Sequence, residues 1–400
     1  MYFILSLYHR AHRKLKKEGF AGIWRVAKRM IAPFFSGMFL NKTKSDLINI
    51  LYVIGYASGE SKRYRIYNII EALSLHGIIA QAVDQESLLY IKPNGYSAVV
   101  FFRCKMNMFT SVFLMKCRHL DIPAIYDIDD LLFDENFFEK LYKEDQINHS
   151  QYKVYIYEAR KYKSMLKVCD YATASTIYLC DYMRGLAGLN TFHIPNSLNQ
   201  LQINAASAVI AESSSEIKIG FLSGSSTHNR DFEQAATAIV SILGKYAHVS
   251  LVIVGWFDLP SCLEPFRNRI LHVPFMDYIA LLKFCCQLYA VIVPLEHEVP
   301  FCNAKSELKY FEQALIGVPV IASPTQTYKE CITDGVNGLL AVDAQQWESA
   351  LERLITDRDF RDTLAENARL QIREIYYPDK IGETANAVYR EILTERRARK

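Results

Sequence analysis

The sequence lacks the features that define several simple protein classes. It has only 17 glycines and 12 prolines in 400 residues, and 50% of its residues are hydrophobic, which excludes collagen-like, low-complexity and disordered chains. No apolar run reaches the roughly 18–20 residues that cross a bilayer. The opening MYFILSLYHR has a short apolar stretch with charge after it rather than before it, so we expect no secretory signal and a cytoplasmic protein.

Cysteine is present without a framework pattern. The nine cysteines are odd in number and include no CxxC pair, so we expect free thiols rather than disulfides or a zinc knuckle. The chain also lacks GxGxxG, GxxxxGK[ST], HExxH, GxSxG and the kinase signature set. These absences give no support to a nicotinamide or flavin cofactor, and we expect neither a cofactor nor a resident metal.

Charge is distributed unevenly along the chain. The formal net charge of +3 argues against a nucleic-acid partner, yet residues 1–45 carry +9 and the rest of the chain −6. Between residues 20 and 35, apolar residues recur at helical spacing with basic residues between them, which is typical of a helix at a membrane interface. Residues 1–40 therefore predict contact with an anionic membrane surface, at the inner membrane face. The alternatives are a surface helix packed on its own domain and a nucleic-acid arm.

From residue 46 onward, short β-rich runs alternate with longer helical stretches, twice over. This alternation predicts an α/β fold of two Rossmann-like domains facing across a cleft, with parallel sheets covered by helices and ligands at the carboxyl ends of the strands. The small and polar stretch 199–216 is the expected linker. The expected parts are an extension (1–45), a first domain (46–205), a second domain (206–376) and a final helix (377–400). The predicted strands are 47–54, 97–102, 123–128, 171–175, 192–195, 217–224, 249–255, 270–274, 289–295, 318–323 and 337–342.

Two loops of the second domain carry residues suited to phosphate. SGSSTHNRDF (223–232) lies between a buried strand and a helix, where small residues, free amides and Arg230 favour an anion; a simple helix cap is the alternative. In the segment 296–323, Lys305 and Lys309 lie one helical turn apart, and Glu312 follows two turns after Lys305. Lys305 suits a phosphate and Glu312 suits sugar hydroxyls, whereas charge pattern alone favours a salt-bridged surface helix.

The first domain contributes an acidic loop and several arginines. YDIDDLLFD (126–134) follows a predicted strand and concentrates Asp127, Asp129 and Asp130. Asp-x-Asp is able to hold a divalent metal with a diphosphate, to cap the following turn, or to supply a general base toward an acceptor hydroxyl. Arg63 and Arg65 follow the first strand and belong to the rim of the cleft or to solvent.

Several motifs together resemble the retaining glycosyltransferases of family 4, the group 1 glycosyltransferases. EQALIGVPVIAS (312–323) is similar to the family's E-A-x-A-x-G-x-P-V-V-A-S, and TDGVNGLLA (333–341) is similar to its D-G-x-N-G-x-L-V turn. HIPNSLN (193–199) and CDYATASTIYL (169–179) resemble the family's I-P-N-G-[IV]-D and D-x-V-x-x-x-S segments. The resemblance covers roughly residues 46–398. It implies the GT-B fold, in which the last helix crosses back to the first domain.

The resemblance also implies roles for individual positions. Glu312 matches the family's ribose contact, and Arg230 matches the Lys of K-G-F that contacts the donor diphosphate. Ala304 stands where the family has the first Glu of E-x7-E, which puts the usual donor-sugar contact in doubt. The NAKSELKY run (303–310) is similar to a variant in a bacterial branch, where Lys305 would replace that contact. The donor-binding candidates are Gly224, Ser225, Ser226, Thr227, Arg230, Asn303, Lys305, Ser306 and Glu312. The catalytic candidates are Arg230, Lys305 and Asp129, and the acceptor-side candidates are Arg63, Arg65, Arg103, Asp127 and Asp130.

The function that the resemblance implies is transfer of a sugar from a nucleotide-diphosphate sugar to a hydroxyl acceptor, with retention and without a metal. The basic extension favours a lipid-linked glycan acceptor in the synthesis of O-antigen, capsule or lipopolysaccharide. One rival is a metal-dependent single-domain transferase that uses Asp127 and Asp129. A second rival is a non-catalytic GT-B scaffold that binds a sugar nucleotide or a partner enzyme, for which Ala304 is the main support.

Overall fold

The computed structural model describes residues 47–55, 60–208, 216–224 and 228–398, which form two parallel sheets of six strands each. The basic extension predicted over 1–45 lies outside the described residues. The first sheet contains β1 (Asn49–Ile54), β2 (Ile79–Asp84), β3 (Ala98–Phe102), β4 (Ala124–Ile128), β5 (Tyr171–Ala174) and β6 (Thr191–His193). The second contains β7 (Ile217–Ser223), β8 (Val249–Gly255), β9 (Ile270–Val273), β10 (Ala290–Val293), β11 (Val320–Ala322) and β12 (Leu339–Leu340).

Helices cover the sheets and connect their strands. A π-helical turn, Arg63–Tyr67, leads into α1 (Asn68–Ser74). The first domain continues with α2 (Met108–His119), α3 (Glu135–Lys143), α4 (His149–Val168) and α5 (Ile177–Ala187). The remaining helices are α6 (Gln200–Ser207), α7 (His228–Lys245), α8 (Tyr278–Cys285), α9 (Pro300–Asn303), α10 (Leu308–Leu315), α11 (Gln326–Cys331), α12 (Ala344–Thr356), α13 (Arg358–Ile375) and α14 (Pro378–Ala398).

The predicted fold class is confirmed: both sheets are parallel and each carries helices between its strands. Every predicted strand is present, because apolar runs buried on both faces give a clear signal. Among the described strands, β2 is the one missed; it lies at the edge of the first sheet and none of its residues is buried. Two of the four apolar residues in its sequence IAQAVD are alanines, which give a weaker strand signal than β-branched or aromatic residues.

Strand order places one reversal point in each sheet. The first sheet runs β2-β1-β3-β4-β5-β6, so the order reverses between β1 and β3. The second runs β12-β11-β10-β7-β8-β9, which is the order of dinucleotide-binding folds, with the reversal between β7 and β10. In such sheets the crevice for a ligand opens beyond the carboxyl ends of the two strands that flank the reversal.

The last helix, α14, packs against the first domain. Its apolar residues, among them Ile381 and Ile392, share one core cluster with Ile50 and Phe102 of the first sheet. Gly382 permits the close approach, because a Cβ there would lie 2.3 Å from the carbonyl oxygen of Ala72 in α1. The final helix therefore crosses back, as the resemblance implies.

The segment predicted as a linker is partly helical. Asn199 and Gln202 form a capping box that starts α6, and Ala205 of this helix packs in a core cluster of the second domain. The predicted boundary near residue 205 therefore falls inside an element that already packs with the second domain. Residues 209–215 of the same segment lie outside the description. Within the described ranges, no helix is both long and apolar enough to span a membrane.

Candidate active site between the two domains

A cavity of about 420 Å³ lies between the two sheets. From the second domain it is lined by residues at the ends of β7 and β10, including Ser223, Gly224 and Leu295. From the first domain it is lined by Tyr64 and by residues at the ends of β3 and β4. The cavity thus opens at the reversal points of both sheets, and its volume falls in the range of small-molecule sites. The first-domain lining residues are Ser61, Tyr64, Arg103, Asp129 and Asp130.

Apolar side chains make up much of the second-domain wall. Val254 ends β8, Phe275 and Met276 follow β9, and Leu281 projects from α8. Phe275 is 59% exposed, which is high for a phenylalanine and places an aromatic face at the cavity. Such a wall suits the flat, weakly polar surface of a base or sugar ring.

Glu312 joins the two domains at the cavity. Its Oε1 accepts hydrogen bonds from the Tyr64 hydroxyl of the first domain and from Gln202 Nε2 of α6, the latter at 2.8 Å. Burial raises the pKa of Glu312, while Arg63, with Nη2 4.0 Å from Oε1, and the two hydrogen bonds oppose that rise. Both bonds end on the same oxygen, so Oε2 is left to accept from a ligand hydroxyl.

Arg63 is held flat between two aromatic rings. Its guanidinium carbon lies 3.9 Å from the ring centre of Tyr64 and 3.7 Å from that of Tyr278 in α8. Its Nε donates to Glu60 at 2.6 Å, whereas the buried Nη1 has no hydrogen-bond partner among the residues described. The stack links the first domain to the second beside Glu312 and fixes the position of Tyr64.

Lys305 and Lys309 both line the cavity but differ in their partners. Lys305 Nζ lies 3.1 Å from Oδ2 of Asp231, a residue that is 3% exposed. Burial lowers the pKa of Lys305, but the Asp231 carboxylate outweighs this effect and the net change is a rise. Lys309 makes no ion pair with any residue that the structure describes. Burial and the charge of Lys305 lower its pKa to about 8, against the opposing charge of Asp231.

The acidic loop presents one paired carboxyl and one carboxyl without an ion pair. Asp129 accepts a hydrogen bond from Arg103, which follows β3 with a left-handed φ of 45°. Within the described ranges, the hydrogen bond that Asp130 accepts comes from the backbone amide of Leu131. Burial and the neighbouring Asp129 raise the pKa of Asp130 to about 6, against the opposing charges of Arg103 and Lys305. A carboxyl group with this pKa exchanges protons near neutral pH.

Residues 216–357 match the family model described as Glycosyl transferases group 1. The match covers less than half of the chain. The chain is also 26% identical over 177 residues to an uncharacterized glycosyltransferase of Methanocaldococcus jannaschii, covering 42% of this chain. The match spans 43% of that protein, which is less than half of its length.

Two solved structures show the same fold over nearly the whole chain. Sucrose-phosphate synthase of Thermosynechococcus elongatus is 16% identical, with a TM-score of 0.60 over 87% of this chain and 100% of that chain. Anabaena HepE in complex with UDP is 14% identical, with a TM-score of 0.58 over 86% of this chain and 100% of that chain. At these identities the likeness shows the fold alone, which is the GT-B architecture over both domains.

Of the six donor-side candidates that the structure describes, four line the cavity. Gly224, Lys305, Ser306 and Glu312 line it, and Ser306 also accepts a hydrogen bond from Asn196 of the other domain at 2.9 Å. The other three residues predicted for the phosphate loop, Ser225, Ser226 and Thr227, lie outside the described residues.

Two donor-side candidates occupy other positions. Arg230 does not line the cavity; its Nη2 lies 2.8 Å from Glu296 and its Nη1 4.0 Å from Glu144 of the first domain. Asn303 Nδ2 donates to the His297 carbonyl at 2.5 Å, and its Oδ1 accepts from the Gln326 amide at 2.8 Å. Arg230 therefore lies in a partly exposed ion pair. The Asn303 side chain connects the loop at His297 to the start of α11 at Gln326.

Two of the acceptor-side candidates line the cavity, and two others form a buried ion pair. Arg103 and Asp130 line the cavity. Arg65 and Asp127, expected at the rim, instead form a buried ion pair with an Nη2–Oδ2 distance of 2.5 Å and exposures of 2% and 3%. Residues 63–66 of the π-helical turn are all buried, so Arg65 lies inside the first domain and not at its surface.

Ala304 also has a structural explanation. It is fully buried and belongs to the core cluster of the first domain, and Phe301 of the same segment stacks on Phe137 with ring centres 4.3 Å apart. A glutamate at 304 would place a carboxylate in this apolar contact, which is costly without a partner.

Sequence reasoning missed four contributors to the site, and only some had a signal. The charge pattern of Lys309 favoured a salt-bridged surface helix. In the structure, neither Lys305 nor Lys309 pairs with a glutamate of the segment 296–323. Tyr64, Tyr278 and Gln202 carry no motif. Their positions beside Glu312 follow from tertiary packing alone.

Proposed function

We propose that this chain transfers a sugar from a nucleotide-diphosphate sugar to a hydroxyl group of an acceptor. The observation that carries the proposal is the position of the cavity, which opens at the strand-order reversal of the domain that matches the group 1 glycosyltransferase model. UDP in the HepE structure of the same fold supports a nucleotide ligand.

The lining chemistry matches the parts of such a donor. The apolar wall formed by Val254, Phe275 and Met276 suits the base, and Oε2 of Glu312 is placed to accept from a ribose hydroxyl. Lys305 and the backbone near Gly224 supply positive charge and amides for a diphosphate. The donor thereby contacts mainly the second domain.

In the proposed reaction the bond between the anomeric carbon and the diphosphate breaks, and its electron pair leaves with the diphosphate. The acceptor oxygen bonds to the same carbon, and its proton passes to the departing diphosphate or to Asp130. Cationic groups stabilise the charge that develops on the leaving group, which is the largest electrostatic demand of the step. Lys305 is the catalytic candidate for this role, and Asp129, paired with Arg103, orients the acidic loop. We infer retention of anomeric configuration and independence of a metal from the resemblance to family 4.

The acceptor side is proposed to receive a lipid-linked glycan of a bacterial surface polysaccharide. Arg103 and Asp130 offer hydrogen-bonding groups for sugar hydroxyls at the first-domain wall. The charge of +9 in residues 1–45 suits an anionic membrane, which would place the protein at the cytoplasmic face of the inner membrane. Sedimentation with vesicles containing anionic lipid tests this point, because deleting residues 1–40 should abolish binding, and unchanged binding would refute it.

A non-catalytic scaffold is the second candidate, favoured by the packing of Ala304 into the first-domain core where the family has a glutamate. Two measurements separate it from an enzyme. Thermal shift with UDP-, GDP- and dTDP-sugars should reveal one stabilising donor, because a ligand that binds the native state raises its stability by mass action. A coupled assay for nucleoside diphosphate release should then detect hydrolysis or transfer of that donor. Stabilisation by a donor without any turnover would favour the scaffold. The absence of both stabilisation and turnover would refute the donor site.

A further inference from the structure

Lys309 is a cation facing the cavity with no partner in the described part of the chain. It lies in the first turn of α10, one helical turn after Lys305, and it lines the cavity together with Ser223 and Gly224. Lys305 has its charge balanced by Asp231 at 3.1 Å. Lys309 makes no hydrogen bond or ion pair within the described ranges, and Asp231, the carboxylate whose charge acts on it, is bonded to Lys305.

The carboxylates around the cavity are turned to other groups. Asp231 is bonded to Lys305, Asp129 to Arg103, and Asp130 to the amide of Leu131. Glu312 bonds to Tyr64 and Gln202 through Oε1. A buried ammonium group without an ion pair costs free energy. An anion bound in the cavity beside Lys309 would offset that cost.

We propose that Lys309 contacts the diphosphate of the donor and supplies the cation that Arg230 was expected to supply. The inference rests on the proposed function, and deepens it by naming the residue that binds the leaving group. Arg230 is already paired with Glu296 and does not line the cavity, whereas Lys309 faces the cavity beside Lys305. An ammonium group binds phosphate as a compact point charge, so it needs no fixed fork geometry.

The proposal predicts that donor binding is coupled to proton uptake. Burial and Lys305 lower the pKa of Lys309 to about 8 in the free protein, with Asp231 opposing them. A diphosphate beside the ammonium group raises this pKa, so a fraction of sites take up a proton on binding. Uptake should be larger at pH 8.5 than at pH 7.0, because the neutral form of the lysine is more populated at the higher pH.

The test is isothermal titration calorimetry on the full chain, with two buffers of different ionisation enthalpy at each pH. The probe is whichever of UDP, GDP, dTDP, ADP and CDP gives the largest thermal shift. We compare the wild type with Lys309→Met and with the control Lys283→Met, which removes an exposed lysine from α8 of the same domain. Lys309→Met should lose proton uptake and weaken binding about 10- to 100-fold, the range for a lost hydrogen bond to a charged group.

A purely structural lysine would behave differently. Because Lys309 makes no ion pair in the described ranges, Lys309→Met without ligand should unfold at the same temperature as the wild type or higher, and a lower unfolding temperature would contradict the proposal. A nucleoside diphosphate that binds with no proton uptake, or equally well to Lys309→Met, would overturn this inference and leave the proposed function standing. No binding by any of the five nucleotides would overturn both.

Discussion

Replacing Arg65 by methionine tests whether the arginine that sequence analysis placed at the acceptor rim is a structural residue. Arg65 donates to Asp127 through Nε at 3.1 Å and Nη2 at 2.5 Å, and to the Ile194 carbonyl through Nη1 at 2.5 Å. The substitution leaves Asp127 with one side-chain donor, Thr173, at 2.6 Å. Removing one member of a buried ion pair costs about 3–5 kcal/mol, because the remaining charge stays buried without compensation.

The assay is urea unfolding followed by far-UV circular dichroism. Tryptophan fluorescence is unsuitable, because Trp256 and Trp347 both lie in the second domain. We expect Arg65→Met to lower the free energy of unfolding by about 3–5 kcal/mol, and the double variant Arg65→Met/Asp127→Leu to recover much of that loss. The matched control is Arg396→Met, which breaks a more exposed pair with Asp121 and Asp170 and should cost about 1 kcal/mol or less.

The opposite result would assign Arg65 to the acceptor site. Arg65→Met would then lower the free energy of unfolding no more than Arg396→Met does, while donor-dependent turnover fell sharply. The buried geometry of the pair with Asp127 would then not describe the working protein.

Three further predictions concern the cavity and its supports. Glu312→Gln should weaken nucleoside diphosphate binding about 10- to 100-fold in calorimetry. The control is Glu374→Gln, which changes an exposed glutamate. A change in affinity of less than two-fold for Glu312→Gln would contradict a ribose contact. Burial raises the pKa of Glu307 to about 7, so Glu307→Gln should be more stable than the wild type by up to about 3 kcal/mol above pH 7. This difference should shrink as pH falls from 7 toward 4.5 in urea titrations, and a difference independent of pH would exclude the assignment. Gly382→Ala should destabilise by about 1–3 kcal/mol because its Cβ meets the Ala72 carbonyl, whereas a gain of about 1 kcal/mol from helix propensity would contradict that contact.

The sheets were largely predictable from sequence, and the reason is burial. Runs such as those of β1 and β8 are apolar throughout because both faces of a parallel sheet are covered. The edge strand β2 does not follow this rule, since three of its six residues are exposed and none is buried. The helix α6 was hidden because its signal is a capping box of two amides, Asn199 and Gln202, inside a polar stretch.

The candidate site was predictable only where a residue carries a motif. Lys305 and Glu312 were placed on the donor side through the segment 303–323, and both line the cavity. The partner of each charge was not predictable, because Tyr64 is 248 residues from Glu312 in sequence. Arg63 and Arg65 are both buried, and their partners differ: Arg63 stacks on Tyr278, whereas Arg65 pairs with Asp127.

The central claim is that a nucleotide diphosphate binds in the cavity between the two domains. Hydrogen–deuterium exchange of the full chain, with and without the nucleoside diphosphate that stabilises it most, measures this directly. We predict slower exchange in two separate places: the second-domain segment 305–312 and the first-domain segment 61–68, joined at Glu312. Protection confined to other surfaces, or none in either segment at saturating nucleotide, would contradict the account.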